Sequence, residues 1–396
     1  MDQNDSMDKE QNEENTPNSQ DAQVQNDSTE QVTPTAEDSS EASEATRPEE
    51  ESSIADEALN ILDPGQSADI TYISTLLYKV KVESAKVLIG QDDLVEKLLV
   101  AMLTGGNVLM EGVPGIAKTM AARVLSRCIS AEFSRIQFTP DLMPADILGT
   151  TVFNVKKSEF EFRKGPIFSN IILIDEVNRA PAKTQAALIE VMEERQVTIE
   201  GHSYEMDYPF FIIATQNPVE QEGTYKLPEA QMDRFLMHVN IEYPPVEDEV
   251  LIIDLVRQEE SASNERSDGK PKEDADRIPQ DAVFGARKDI AAVKVSDPMQ
   301  RYMADLVYAT RTPDKYSEDL DRWIDVGGSP RASLALDKCS RTHAWLNQRD
   351  FVDPEDIRAV VHDCLRHRLM LSYEAQGEGV SADQVIDALV EQVAIP

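Results

Sequence analysis

Five nearly uninterrupted apolar runs, separated by stretches of helical pattern, constrain this chain more than any other feature. They are "NVLME" (Asn107–Glu111), "FSRIQF" (Phe133–Phe138), "IILID" (Ile171–Asp175), "FFIIAT" (Phe210–Thr215) and "FLMHVNI" (Phe235–Ile241). A strand that is apolar at successive positions has both faces buried, and a parallel sheet between two layers of helices buries both. The pattern predicts an α/β domain on a parallel five-stranded sheet. Further on, "VDPEDIRAVVHDCLRHRLML" opens on Asp353 as an N-cap with Pro354 in the first helical position, and "SADQVIDALVEQV" carries a capping box, Ser381 with Gln384. The C-terminal part therefore reads as a small all-α domain.

The flanking text differs. Residues 1–65 have almost no large apolar side chains, and residues 1–50 set fifteen acids against Lys9 and Arg47. Such a segment buries too little surface to offset its ordering entropy, so we expect a disordered acidic tail. A second polar stretch, "QEESASNERSDGKPKEDADRIPQ", reads as a linker or flexible insertion near 258–280. The expected organisation is a tail (1–65), an α/β core (66–245), a linker with a polar insertion (246–290) and a helical domain (291–396).

Composition narrows the functional classes. The formal net charge is -36 in 396 residues, which argues against nucleic-acid binding by bulk attraction. No run approaches the roughly 18 apolar residues of a membrane span. No basic and apolar leader opens the chain, so a cytoplasmic location is expected. Cys128, Cys339 and Cys364 are odd in number and widely spaced, and five histidines are scattered, so neither a disulfide framework nor a zinc site is expected.

Chemistry enters at the first apolar run. "EGVPGIAKTM" follows it and leads into a helical pattern. Phosphate-gripping loops read G-x-x-x-x-G-K-[ST]. Gly112, Lys118 and Thr119 fit, while Ala117 stands where the second glycine is usual. Ala is small enough for close approach if its backbone is right-handed, and Gly112 and Gly115 can carry the awkward dihedrals. Backbone N–H groups along Gly112, Val113, Pro114, Gly115, Ile116, Ala117 and Met120 (Pro114 itself has none) would surround a phosphate, with Lys118 as a point charge and the Thr119 hydroxyl on Mg²⁺. A plain strand-to-helix turn would also contain glycines, so the loop alone leaves both readings open.

A second group belongs with it. Asp175 and Glu176 close the strand "IILID", at the sheet edge where open α/β sheets bind ligands. Asp175 would hold Mg²⁺ through water, and Glu176 would orient and deprotonate an attacking water. Asn217, after "FFIIAT", could position water or touch a terminal phosphate, or simply form an Asn-Pro turn. Phosphoryl transfer also needs charge stabilisation that one lysine does not complete. Arg234 in "LPEAQMDRF" and Arg331 in "GGSPRASLAL" are candidates.

Together "VLIGQDDLVEKLL", "EGVPGIAKT", "FTPDLMPADILG", "LIDEVNRAPAKTQAALIEVMEERQVTI", "ATQNP", "EGTYKLPEAQMDRF" and "GGSPRASLAL" resemble a MoxR-type AAA+ ATPase over residues 70–396. The resemblance implies a P-loop NTPase core with a helical lid, and ATP and Mg²⁺ as its cofactors. It implies that Lys118 and Thr119 are Walker A residues, Asp175 and Glu176 Walker B, and Asn217 sensor 1. Ile89 and Gly90 would line the adenine pocket. Arg331 would be a sensor 2 that reaches the terminal phosphate within its own subunit, and Arg234 an arginine finger that completes a neighbour's site. A finger supplied from a neighbour implies a ring, usually a hexamer. The family commonly has Ala at the position of Ala117. It also implies chaperone-like maturation of client protein complexes, often with a partner bearing a von Willebrand factor A domain. A nucleic-acid motor of the same branch and a nucleotide-gated scaffold are the alternatives. Two alternating stretches, "TTVFNVKKSEFEFRKG" and "RQVTIEGHSYEM", predict hairpins. By the resemblance they face the ring's pore, although stabilising surface hairpins would read the same.

Overall fold

The computed structural model describes Val80, Ser84 and residues 88–113, 118–218, 223–265 and 278–395. The acidic-tail reading and the four loop residues Pro114, Gly115, Ile116 and Ala117 lie outside the described residues.

The chain enters through helix α1 (Asp92–Thr104), strand β1 (Val108–Gly112), helix α2 (Lys118–Cys128) and strand β2 (Phe133–Gln137). A short helix, α3 (Pro144–Leu148), leads to a hairpin of β3 (Gly149–Asn154) and β4 (Glu159–Lys164). Strand β5 (Ile171–Asp175) and helix α4 (Ala182–Glu194) follow, then a second hairpin, β6 (Gln196–Ile199) with β7 (His202–Glu205). Strand β8 (Phe211–Gln216), the short helix α5 (Glu229–Met232) and strand β9 (Met237–Ile241) complete the core. All five core strands are parallel, in the order β2-β5-β8-β1-β9.

Both faces of the inner strands β1, β5 and β8 are buried, which is why they read as continuous apolar text, whereas the edge strand β2 exposes Arg135 and Gln137. Val108 and Met110, Ile171 and Leu173, and Phe211 and Ile213 enter one hydrophobic core. Their alternates Leu109, Ile172, Ile174, Ile212 and Ala214 enter a second core on the other face. This is the period of two of a pleated strand with apolar residues at both phases. The fifth run is shorter as a strand than as text. Phe235 and Leu236 belong to the turn before β9, where the Phe235 amide bonds to the Met232 carbonyl and the Leu236 amide to the Asn107 carbonyl.

Both hairpins form. The second turns through Glu200 and Gly201, both at positive φ (51° and 83°), as a tight two-residue turn requires. The first leaves Phe153 and Phe160 exposed, paired edge-to-face with centroids 5.1 Å apart.

The linker expected at 246–290 is instead largely helical. Helix α6 (Val246–Glu265) runs into the polar stretch, and α7 (Gln280–Ala292) is a packed element. Ala282, Val283, Ala286 and Ile290 fall on one helical face and enter the first core. The Arg287 guanidinium donates to the carbonyls of Met102 and Leu103, satisfying the open end of α1. The remaining helices are α8 (Asp297–Arg311), α9 (Glu318–Trp323), α10 (Pro330–Leu346), α11 (Pro354–Leu365), α12 (Tyr373–Glu378) and α13 (Ala382–Gln392). Asp353 and Ser381 cap α11 and α13 with complete capping boxes. A small antiparallel pair, β10 (Ile324–Val326) with β11 (Met370–Leu371), ties this helical domain together.

The helical domain grips the core through "RHR", Arg366–Arg368. His367 is buried, with Nε2 3.1 Å from the Phe235 carbonyl oxygen. Burial first, then the charges of Arg368 and His238, push its imidazole well below the usual 6.5. The native ring is therefore neutral, with Nε2–H donating to Phe235. The unfolded chain takes up a proton as pH falls below 6.5, and the native state does not. Stability from this group is complete above that pH and is lost below it. Urea unfolding between pH 7.5 and 5.5 should show stability falling toward acid by up to roughly 1 kcal/mol per pH unit from this one proton. His367→Gln, which keeps the donor, should flatten that slope. An unchanged slope would assign the acid sensitivity to other groups.

Candidate active site

The carboxyl ends of β1, β5 and β8 meet at one edge of the sheet. Pairing of Glu111 with Gln216 and of Ile174 with Ala214 sets these ends side by side. Gly112 closes β1, and Lys118 opens α2. The Lys118 ammonium donates to the carbonyl oxygens of Gly112 and Gln216, the latter at 3.1 Å. Burial pushes this ammonium below its usual range, and Asp175, Glu111 and Glu176 partly hold it up. A cation whose acceptors are two backbone carbonyls gains from an arriving phosphate. Val113 and Thr119 are half-buried beside it, and Met120 is exposed.

Asp175 is buried at the end of β5. Its Oδ1 accepts from the Thr215 hydroxyl at 3.3 Å, and its Oδ2 from Arg135 Nε at 2.6 Å. Glu176 follows in the left-handed region (φ 57°, ψ 51°), a conformation that costs a non-glycine residue on the order of 1–2 kcal/mol. Its amide donates to Thr215 Oγ1 at 3.0 Å. Its carboxylate accepts from Gln137 Nε2 at 2.8 Å and pairs with Arg179 Nε at 3.0 Å. Thr215 thus sits between the two acids, fixing one side chain and the other's backbone. Asn217 is buried just beyond β8.

Ile89 and Gly90 border the same edge. Gly112 pairs with Ile241, the last residue of β9, and the Glu242 carbonyl after it accepts from Gln91 Nε2 at 3.4 Å. Gly90 has φ +73°, and a Cβ there would lie 2.4 Å from Asp248 Oδ2 on α6. The positive φ favours glycine here, while the Asp248 carboxylate is the end of a side chain that can move aside.

Three residues escaped sequence reading. Thr215, Gln137 and Arg135 look like ordinary strand residues. Only the pairing of Gln137 with Asp175 and the adjacency of β8 to β5 bring them to the acids.

The two candidate arginines lie elsewhere. Arg234 precedes β9, and Leu236 bonds to Asn107, just before β1 begins. This is the amino edge of the sheet, one five-residue strand, or roughly 16 Å, from the phosphate-loop edge. Helix α4 starts near Asp175 and ends here, presenting Glu193. Arg234 pairs with Glu193 Oε2, and Arg331 Nη2 lies 2.6 Å from Glu193 Oε1. Arg331 Nη1 is also 3.6 Å from Asp233 Oδ2. Arg331, expected to reach the terminal phosphate of its own chain, contacts Glu193 and Asp233 in this structure. These contacts hold it beside Arg234, away from Lys118.

The donor set suits Mg²⁺. Asp175 and Thr119 offer hard oxygen ligands beside Lys118, and Mg²⁺ prefers few protein ligands together with nucleotide phosphates. A model of the ATPase family associated with various cellular activities matches residues 107–237, and a model of the AAA lid domain matches residues 320–389. Sheet, phosphate-loop helix, acids and helical lid define an AAA+ ATPase. The chain is 42% identical to Chaperone MoxR1 of Mycobacterium tuberculosis over 334 residues, 84% of each chain. It is 30% identical to Protein MoxR of Methylorubrum extorquens over 361 residues, 85% of this chain and 100% of that one. The crystal structure of a Cytophaga hutchinsonii protein superposes with a TM-score of 0.75 at 43% identity, covering 83% of this chain and 97% of that one. The chain belongs to the MoxR family of AAA+ ATPases.

Proposed function

We propose that this chain hydrolyses ATP to ADP and phosphate with Mg²⁺, in a ring of copies of itself, and uses the cycle to mature or activate partner protein complexes. The observation that carries the ring is the distance between the two halves of the site. Lys118, Asp175 and Glu176 stand at one edge of the sheet, and Arg234 and Arg331 at the other. A chain with that layout depends on another copy to complete its site, and a head-to-tail contact of this kind makes a ring when its rotation closes. A hexamer is the expected closure.

Each residue then has a separate task. The segment from Gly112 to Met120, with the Lys118 ammonium, holds the phosphates, and Ile89 and Gly90 border the base. Thr119 and Asp175 would hold Mg²⁺, which neutralises charge on the phosphate oxygens. Glu176 orients a water and takes its proton as the water's oxygen bonds to the terminal phosphorus. Asn217 steadies that water or the phosphate. Arg234 and Arg331 of an adjoining copy stabilise the charge that leaves with the broken P–O bond.

The protein-maturation reading is supported by membership of the family and by the acidic net charge of -36. A von Willebrand factor A domain protein and an unidentified client are the proposed partners, in the cytoplasm. Among the described residues no helix is long and apolar enough to cross a membrane. Full-length Glu176→Gln, loaded with ATP and used as bait in a lysate, should enrich one or more proteins over the ADP-loaded control. ATPase stimulation by DNA or RNA, with no nucleotide-dependent protein partner, would overturn the reading.

A further inference from the structure

Arg368 belongs to the helical lid, yet its side chain is almost wholly given to the core turn that carries Arg234. It is buried at 8% exposure. Nε donates to Asp233 Oδ1 at 2.8 Å, Nη1 to the Leu236 carbonyl at 3.1 Å, and Nη2 to the carbonyls of Phe235 at 2.6 Å and Asp233 at 3.3 Å. Nη1 also donates to the Cys364 carbonyl within the lid. Four of these five acceptors lie on Asp233–Leu236, immediately flanking Arg234. A buried guanidinium is tolerated only when its donors are matched, and here the matching partner is a four-residue turn.

Asp233 extends the link. Its carboxylate also accepts from the Ser329 hydroxyl at 2.8 and 3.0 Å. Ser329 caps α10 by accepting the Arg331 amide at 3.1 Å. One carboxylate therefore joins the residue next to Arg234, the cap of the helix bearing Arg331, and a buried lid arginine. We propose that Arg368 is a positioning residue. Through Asp233 it fixes Arg234 and Arg331 as one unit aimed at the nucleotide site of an adjoining copy, and it makes their placement follow the lid. The proposal rests on the reading that these arginines act on a neighbour.

The test uses full-length Arg368→Lys, which keeps a cation but loses the fork. Turnover should fall by about 10²-fold, a loss that an ångström of misplacement can cause, with ATP affinity unchanged within about twofold. The decisive readout is mixing. The variant keeps an intact phosphate loop, so Lys118→Ala subunits carrying intact Arg368, Arg234 and Arg331 should restore part of its ATPase. Asp233→Asn, which breaks the same link from the finger side, should behave alike if Arg368→Lys does not fold. A role confined to lid stability would lower ATP affinity and turnover together, without rescue, and would overturn the proposal. If Arg234→Ala is rescued by mixing and the Arg368 and Asp233 variants are not, this inference fails alone. If Arg234→Ala is not rescued either, the neighbour reading fails and takes the inference with it.

Discussion

Lys118→Ala is expected to weaken ATP binding beyond easy detection, while Glu176→Gln binds ATP as the parent does and stops turning it over. Lys118 is the loop's cation, and its present acceptors are backbone carbonyls of Gly112 and Gln216. A charge-assisted bond contributes about 1.5–3 kcal/mol net, so one such contact accounts for roughly 10–10²-fold in affinity. In the proposed complex more than one phosphate oxygen would reach that ammonium, so the loss should reach the upper end or beyond. Glu176 is proposed for a different task, that of the general base. Its backbone is anchored by Thr215 and its carboxylate by Gln137 and Arg179, which hold the carboxylate at the edge of the site. Removing a general base of this kind typically costs about 10²–10⁴-fold in rate. Titration with a fluorescent ATP analogue and steady-state phosphate release separate the two effects. Equal loss of affinity in both variants would show that the assigned division of labour is wrong.

Arg234→Ala should lose turnover on the scale of a finger supplied from outside, about 10³–10⁵-fold in related phosphoryl-transfer systems, with its own ATP binding intact. Mixed with Lys118→Ala subunits it should recover part of the activity. At an interface where the Lys118→Ala chain donates its intact arginine, the Arg234→Ala chain has a complete site. Arg331→Ala should recover in the same way, because Arg331 shares Glu193 with Arg234 at the far edge of the sheet. A residue acting within its own chain would give no rescue, since neither subunit type would hold both it and Lys118. ATPase rate against mixing ratio, with mixed rings verified by native mass spectrometry, decides each residue separately. Rescue of Arg234→Ala without rescue of Arg331→Ala would return Arg331 to its own subunit's site and imply a large lid movement on ATP binding.

Much of the core was legible because its signals are contiguous. A strand buried on both faces is apolar at every position, so Ile171–Asp175 and Phe211–Gln216 stand out without any partner being known. The acids at such a strand's end are likewise neighbours in sequence. Helix α7 was missed because a polar, Gly- and Pro-containing stretch precedes it, and its apolar positions 282, 283, 286 and 290 lie among charges. Their burial comes from α1 and α10, which the local text does not contain.

The sequence by itself determined the parallel sheet, the helical lid, and the candidacy of Lys118, Asp175 and Glu176, because each is encoded within one strand-loop-helix stretch. Only the tertiary structure decided which residues share a site. Strand order brings Thr215, Gln137 and Arg135 to the acids, since β8 and β2 flank β5 on either side. The lid's docking carries Arg331 and Arg368 to Asp233 and Glu193, residues about a hundred positions or more distant in the chain. That choice of edge depends on packing between elements far apart in sequence, and no local pattern encodes it. It separates the arginines of one chain from its own phosphate loop by the length of a strand.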